Sequence, residues 1–157
     1  MTTASTAVYL ELGSKRVFAC AVDWPGWCRA GRDEGAALAA LASYAERYAP
    51  VAKRAGVSFP STVDFDVIER LPGGPTTAFA APECRRPFPQ VTAEAERANV
   101  TPAAARRLVT AAWVTFDEVA AASPAALRKG PRGGGRDRNK LIDHVVGAER
   151  PTRASSG

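Results

Sequence analysis

Apolar and polar positions alternate with two different periods along this chain, and the change of period divides it. From Ala7 to Leu12 the apolar residues Val8, Leu10 and Leu12 recur every second position, which predicts a strand with one buried face. Lys15 to Val22 predicts a second strand. Its apolar run from Val17 to Val22 is nearly continuous, so both of its faces are expected to be covered. Gly13-Ser14 is a turn short enough to make the two strands an antiparallel hairpin. Beyond Asp33 the spacing changes to three and four: Leu38, Leu41, Ala45, Tyr48, Ala52 and Ala55 share one helical face, which predicts a helix over about 33–55 with a kink or a break near Ala49, ahead of Pro50. Thr62 to Leu71 returns to a period of two, with Val63, Phe65, Val67 and Glu69 on one side and Asp64, Asp66 and Ile68 on the other.

Between the second strand and the helix lies the stretch that organises this front half, Asp23 to Glu34. Pro25 fixes its own φ and holds Trp24 extended, while Gly26 supplies the positive φ of a tight turn. Trp27 to Ala30 then forms a short strand broken at Gly31, and Asp33 is placed to cap the helix. Trp27 is expected in the core and Trp24 partly exposed. Trp24, Trp27 and Arg29 are the residues of this corner offered to a protein partner. Cys20 and Cys28 face each other on neighbouring strands as small buried side chains.

The rear half is helical. Thr92 caps a short helix to about Ala98. Thr101-Pro102 is a stronger start, a capping hydroxyl followed by proline at the first helical position, and opens a helix to about Ala122. Leu108, Val109, Ala112, Trp113, Phe116, Val119 and Ala120 form its apolar stripe. Ser123-Pro124 restarts a short turn through Leu127. Asp137 or Asn139 caps a last helix bearing Leu141, Ile142, Val145 and Val146. The reading is an α+β protein: a small antiparallel sheet with one packed helix over 1–71, a Pro-rich linker over 72–90, a helical hairpin or partial bundle over 91–150, and a tail over 151–157.

Composition adds three points. Apolar residues make up 46% of the chain, but alanine carries much of that share, so the core is thin. Three cysteines, no basic-then-apolar leader and no long apolar run lead to the expectation of a cytoplasmic protein that contacts no membrane. The net charge of +5 is local: Lys129, Arg132, Arg136, Arg138 and Lys140 stand against Asp137 alone in a glycine-rich loop ahead of a helix. Backbone amides, the helix dipole and these cations favour a phosphate, so this loop is the candidate anion or nucleic-acid contact.

Catalytic patterns are thinner. Glu11, Asp23 and Asp33 would have to converge to hold two metal ions. No nucleophile-elbow motif is present. One histidine, His144, cannot supply a three-imidazole metal site, and no cofactor is expected.

Asp23, Pro25-Gly26, the short strand to Gly31, Asp33-Glu34 and Ala37-Leu38 together resemble the HicB-like antitoxin fold over residues 7 to about 70. That resemblance implies a small α+β domain related to a catalytically empty RNase H fold, which binds a small toxin partner and dimerises. Leu127-Arg128-Lys129, the Gly133-Gly134-Gly135 loop and Ile142-Asp143-His144-Val145 resemble part of a DinB-like helical bundle over about 101–149. There the histidine matching His144 is the first of three metal ligands. The combination resembles actinobacterial proteins that join the two pieces. The HicB-like resemblance implies a non-enzymatic, HicB-antitoxin-like regulatory protein acting through protein–protein association or self-association, with the DinB-like segment as a partial helical hairpin packed against it. The alternatives are a DinB-like metal- or thiol-dependent enzyme and a nucleic-acid binder working through the basic loop at 129–140.

Overall fold

The computed structural model describes residues 5–60, 63–79, 101–129 and 134–149. Four strands, β1 (Thr6–Leu12), β2 (Val17–Ala21), β3 (Cys28–Gly31) and β4 (Phe65–Pro72), form a sheet in the order β3-β2-β1-β4. The class is α+β, as expected, but the sheet is mixed. The two hairpin contacts, β1 with β2 and β2 with β3, are antiparallel, whereas β4 runs parallel to β1. The reason is topological. The helical crossover from β3 carries the chain back over the sheet and lays β4 beside β1 in the same direction.

Strict alternation along β1 and β2 sorts their side chains onto two faces. Val8, Leu10, Val17, Ala19 and Ala21 join one cluster with the helices, and Tyr9, Phe18, Cys20 and Val22 join another on the opposite side. The continuous apolar run of β2 therefore serves two buried faces, as its composition predicts.

The helix predicted over 33–55 is two helices, α1 (Glu34–Ser43) and α2 (Ala45–Arg54). The break falls at Tyr44 and not at Pro50, which sits inside α2. Its cause is a side chain from outside the helix. The Trp27 indole Nε1–H donates to the Leu41 carbonyl at 3.0 Å, and the Tyr44 N–H donates to the same oxygen at 3.1 Å. The Ala45 N–H finds that acceptor already engaged, and the ladder restarts one residue on.

Asp33 caps α1 with extended backbone and its Oδ1 accepting from the Ala36 N–H at 2.8 Å. That bond, with Arg32 beside it, holds the Asp33 carboxyl below its ordinary value. A depressed folded-state value means that the cap stabilises above the unfolded pKa of about 3.9 and is lost as pH falls through the folded value. Asp33→Ala is therefore expected to lower the Tm more at neutral pH than in strong acid, where only a neutral acceptor is left to lose, while Asp33→Asn keeps such an acceptor and falls between wild type and Asp33→Ala at neutral pH. An Asp33→Ala deficit of equal size at both pH values would show that the charge of the carboxylate adds nothing to the cap.

β4 departs from simple alternation at one point. Val8 pairs with Val67 and Tyr9 with Glu69, so Ile68 is an extra, bulged residue. Val63, Phe65 and Val67 pack on the helix side, whereas Ile68 and Leu71 pack on the other. Arg70, and not Glu69, continues the helix-facing side, where it makes a two-pronged ion pair with Glu34 at 3.0 Å. The strand ends at Pro72, and Gly73 N–H closes onto the Leu12 carbonyl at 2.8 Å. A short helix, α3 (Pro75–Phe79), follows, with its buried Thr77 hydroxyl donating to the buried Glu11 carboxylate.

α4 spans Pro102–Ala122, with the Thr101 hydroxyl accepting from the Ala104 N–H at 3.2 Å, and α5 spans Arg138–Glu149. The chain forms two compact units, 1–112 and 113–157, which divide within α4 and later than the Pro-rich segment at 72–90. Of that segment, Pro72 belongs to β4 and Pro75–Phe79 to α3. Residues 80–90, like the helix predicted after Thr92 and the tail at 151–157, lie outside the described residues. In the first unit Leu108 and Ala111 are buried and Val109 is exposed. In the second unit Trp113 and Phe116 meet edge to face at 5.7 Å, Val114, Val119, Leu141 and Val146 are exposed, and the turn of helix predicted after Pro124 is a bend.

Candidate functional site

The Asp23–Glu34 stretch is a corner plugged by aromatic rings. Gly26 turns the chain at φ 84°, and the Trp27 N–H closes the turn on the Trp24 carbonyl at 2.9 Å. Trp27 is 2% exposed. Its ring stacks on Tyr48 at 5.9 Å and meets Phe59 at 5.0 Å and Phe65 at 5.8 Å. Trp24, expected partly outside, is only 9% exposed, because Phe59 and Tyr48 meet it edge to face at 4.8 and 6.0 Å. The Tyr48 hydroxyl reaches back and donates to the Pro25 carbonyl at 2.9 Å. Burial pushes its pKa up to about 12, so it remains a donor throughout the neutral range. At the turn itself Pro25 and Gly26 are exposed, and further along the stretch so are Arg32 and Asp33.

Arg29, the third residue read as partner-facing, is half-buried on β3. Its guanidinium lies over the Tyr44 ring at 3.5 Å and Nη1 donates to the Cys28 carbonyl at 2.9 Å. Nε is buried with no hydrogen-bond partner. The Cys28 N–H is taken by the Gly26 carbonyl at 3.0 Å. Both main-chain groups of Cys28 are thus satisfied from within the corner, which blunts the β3 edge of the sheet.

Beside the corner is a cleft of about 560 Å³, lined by Asp23, Trp24, Phe59, Thr6, Ser58 and Leu108 among others. It combines an indole, a phenyl ring and a carboxylate with the hydroxyls of Ser5, Thr6 and Ser58, and its volume suits a small molecule or a short peptide segment. Reasoning from sequence missed Tyr48, Phe59 and Phe65 as parts of this site. Tyr48 reads as one more residue of a helical stripe, and Phe59 as part of a loop.

The three carboxylates weighed for metal chemistry stay apart. Glu11 pairs across from Phe18 near one end of the hairpin, Asp23 follows β2 at the other end, and Asp33 caps α1. Phe18, level with Glu11, stands five residues before Asp23, and the strand part of that path alone rises about 3.3 Å per residue. His144 is exposed on α5, and no group of three metal-binding side chains occurs among the described residues.

The basic loop is partly neutralised from within. Lys129 Nζ pairs with Asp137 Oδ1 at 2.5 Å, which holds that carboxyl below its ordinary value. Arg138 Nη1 donates to the Ser123 carbonyl at 2.8 Å and its Nε to the Asn139 side chain. Arg136 and Lys140 are exposed, and Arg132 lies outside the described residues.

Comparison with protein-family models, with curated proteins and with solved structures finds no match to this chain. Its function is therefore argued from its own residues. No helix among the described residues is long and apolar enough to cross a membrane.

Proposed function

We propose that the chain is a binding and regulatory protein of the HicB-antitoxin-like kind, acting through protein–protein association at the β4 edge of its sheet. One observation carries this reading. β4 is eight residues long, ends the strand order, and has no strand on its outer side among the described residues. Thr6 N–H bonds the Asp64 carbonyl and Gly73 N–H bonds the Leu12 carbonyl. Alternation from those two points, with the bulge at Ile68, turns the main-chain groups of Phe65, Val67 and Arg70 outward. Such a row of free donors and acceptors is the template for strand addition. The buried tryptophans and the self-satisfied Cys28 leave the corner and the β3 edge less suited to that role.

The occupant proposed for this edge is a second copy of the chain, its β4 paired antiparallel with the first about a two-fold axis near Val67. The expected result is a molar mass that rises from monomer to dimer with concentration in light scattering, together with slowed amide exchange at Phe65, Val67 and Arg70 in the dimer. Val67→Pro removes an outward N–H and trims a partly buried side chain, and is expected to leave a folded, somewhat less stable monomer. A monomer mass at every concentration, or a dimer indifferent to Val67→Pro, would overturn the edge assignment.

A further inference from the structure

The register of β2 and β3 sets Cys20 directly opposite Cys28. The Ala21 N–H bonds the Trp27 carbonyl, so the next pair along, Cys20 with Cys28, is a non-hydrogen-bonded pair, the kind whose side chains approach most closely. Its Cα atoms are expected about 4.5 Å apart, within the span that a disulfide bridges. The two Sγ atoms are 2.9 Å apart, about 0.9 Å more than a sulfur–sulfur bond. Both thiols are free.

We infer that Cys20 and Cys28 form a reversible dithiol–disulfide modification site that takes a hydroperoxide as its oxidant. The two cysteines have distinct roles. Cys20 is 4% exposed in the Tyr9–Phe18–Val22 cluster. Its hydrogen bond to Cys28, and burial, push the thiol well above its ordinary range, so it stays protonated. Cys28 is half-buried at the sheet edge with the Arg29 guanidinium bonded to its carbonyl, and it is the one a peroxide reaches.

Cys28 sulfur attacks the peroxide, the O–O bond breaks, and the departing hydroxide takes up the proton that Cys28 releases. The Cys28 sulfenic acid remains. Cys20 sulfur then attacks it, the S–S bond forms as the S–OH bond breaks, and the Cys20 proton leaves with that hydroxide as a second water. Two thiols have lost two electrons and two protons, and one hydrogen peroxide has become two waters. A dithiol reverses the change by exchange. The bond encloses the Trp24–Trp27 turn in a covalent loop.

The chain's own cleavage sites make the test direct. Trypsin releases residues 17–29, bounded by Arg16 and Arg29, as one peptide holding both cysteines. The reduced full chain is treated with hydrogen peroxide, alkylated and digested. The expected peptide is about 2 Da lighter than its dithiol form and carries no alkyl group until dithiothreitol restores two alkylation sites. Cys84→Ser is expected to give the same result, and Cys20→Ser to drive Cys28 on to sulfinic acid. A peptide alkylated at both positions, a Cys28 sulfinic acid in the wild type, or a cross-link to Cys84 would each overturn the assignment.

Discussion

Trp27→Ala is expected to destabilise the first unit by about 4 kcal/mol, the upper part of the range for emptying a large aromatic site. The ring is 2% exposed and touches Tyr48, Phe59 and Phe65, residues brought together from α2, the following loop and β4. No single neighbour can move in to fill the space, because each is held by a different element. The indole has a second role in Nε1–H, which occupies the Leu41 carbonyl. Trp27→Phe separates the two. It keeps most of the ring and loses the donor, for an expected cost of about 1–2 kcal/mol. It also frees Leu41 to accept from Ala45, so α1 and α2 are expected to join across Tyr44. Urea unfolding followed by circular dichroism reads the first effect, and helix chemical shifts at Ser43–Ala45 read the second. A loss below about 1 kcal/mol for Trp27→Ala would mean that the aromatic cluster is not the centre of this core.

That helix break shows where the sequence was legible and where it was not. Signals carried by neighbouring residues were readable: the period of two in β1, the doubly apolar run of β2, the Asp33 cap, and the Thr101-Pro102 start of α4. Each depends on groups within a few positions of one another. Pro50 is also a local signal, and it misled, because the site of the break is decided by an indole fourteen residues from its acceptor. The bulge at Ile68 and the parallel partner of β4 are similarly non-local. Nothing in a strand's own pattern says which strand it lies beside or in which direction. For the candidate site the same division holds. The Trp24–Trp27 corner stood out by composition, but the burial of Trp24 depends on Phe59 and Tyr48 arriving from elsewhere. The Cys20–Cys28 pairing was accessible because a tight turn between two strands fixes their register.

Gly31→Ala is the second large effect, and it follows from closeness of backbones. A Cβ at Gly31 would stand 2.2 Å from the Ala37 nitrogen, 2.4 Å from the Ala36 carbonyl carbon and 2.8 Å from the Ala36 Cβ. Two of the three are main-chain atoms of the first turn of α1, so no rotamer change relieves the clash. Either α1 lifts off β3 or β3 leaves the sheet. The first pulls on the Asp33 cap and on Leu41, and the second on the Cys20–Cys28 pair. The expected cost is about 3 kcal/mol or more, at or above the top of the usual range for overpacking. A control lies four residues on. A Cβ at Gly35, inside α1, meets nothing nearer than Asp33 Oδ1 at 3.6 Å. There alanine only removes the helix penalty of glycine, and Gly35→Ala is expected to stabilise by roughly 0.5–1 kcal/mol. Measured in one urea series, the two substitutions should move the midpoint in opposite directions. If Gly31→Ala proved neutral, the contact between β3 and α1 would have to be looser than these distances, and the corner that joins them would lose its rigid support.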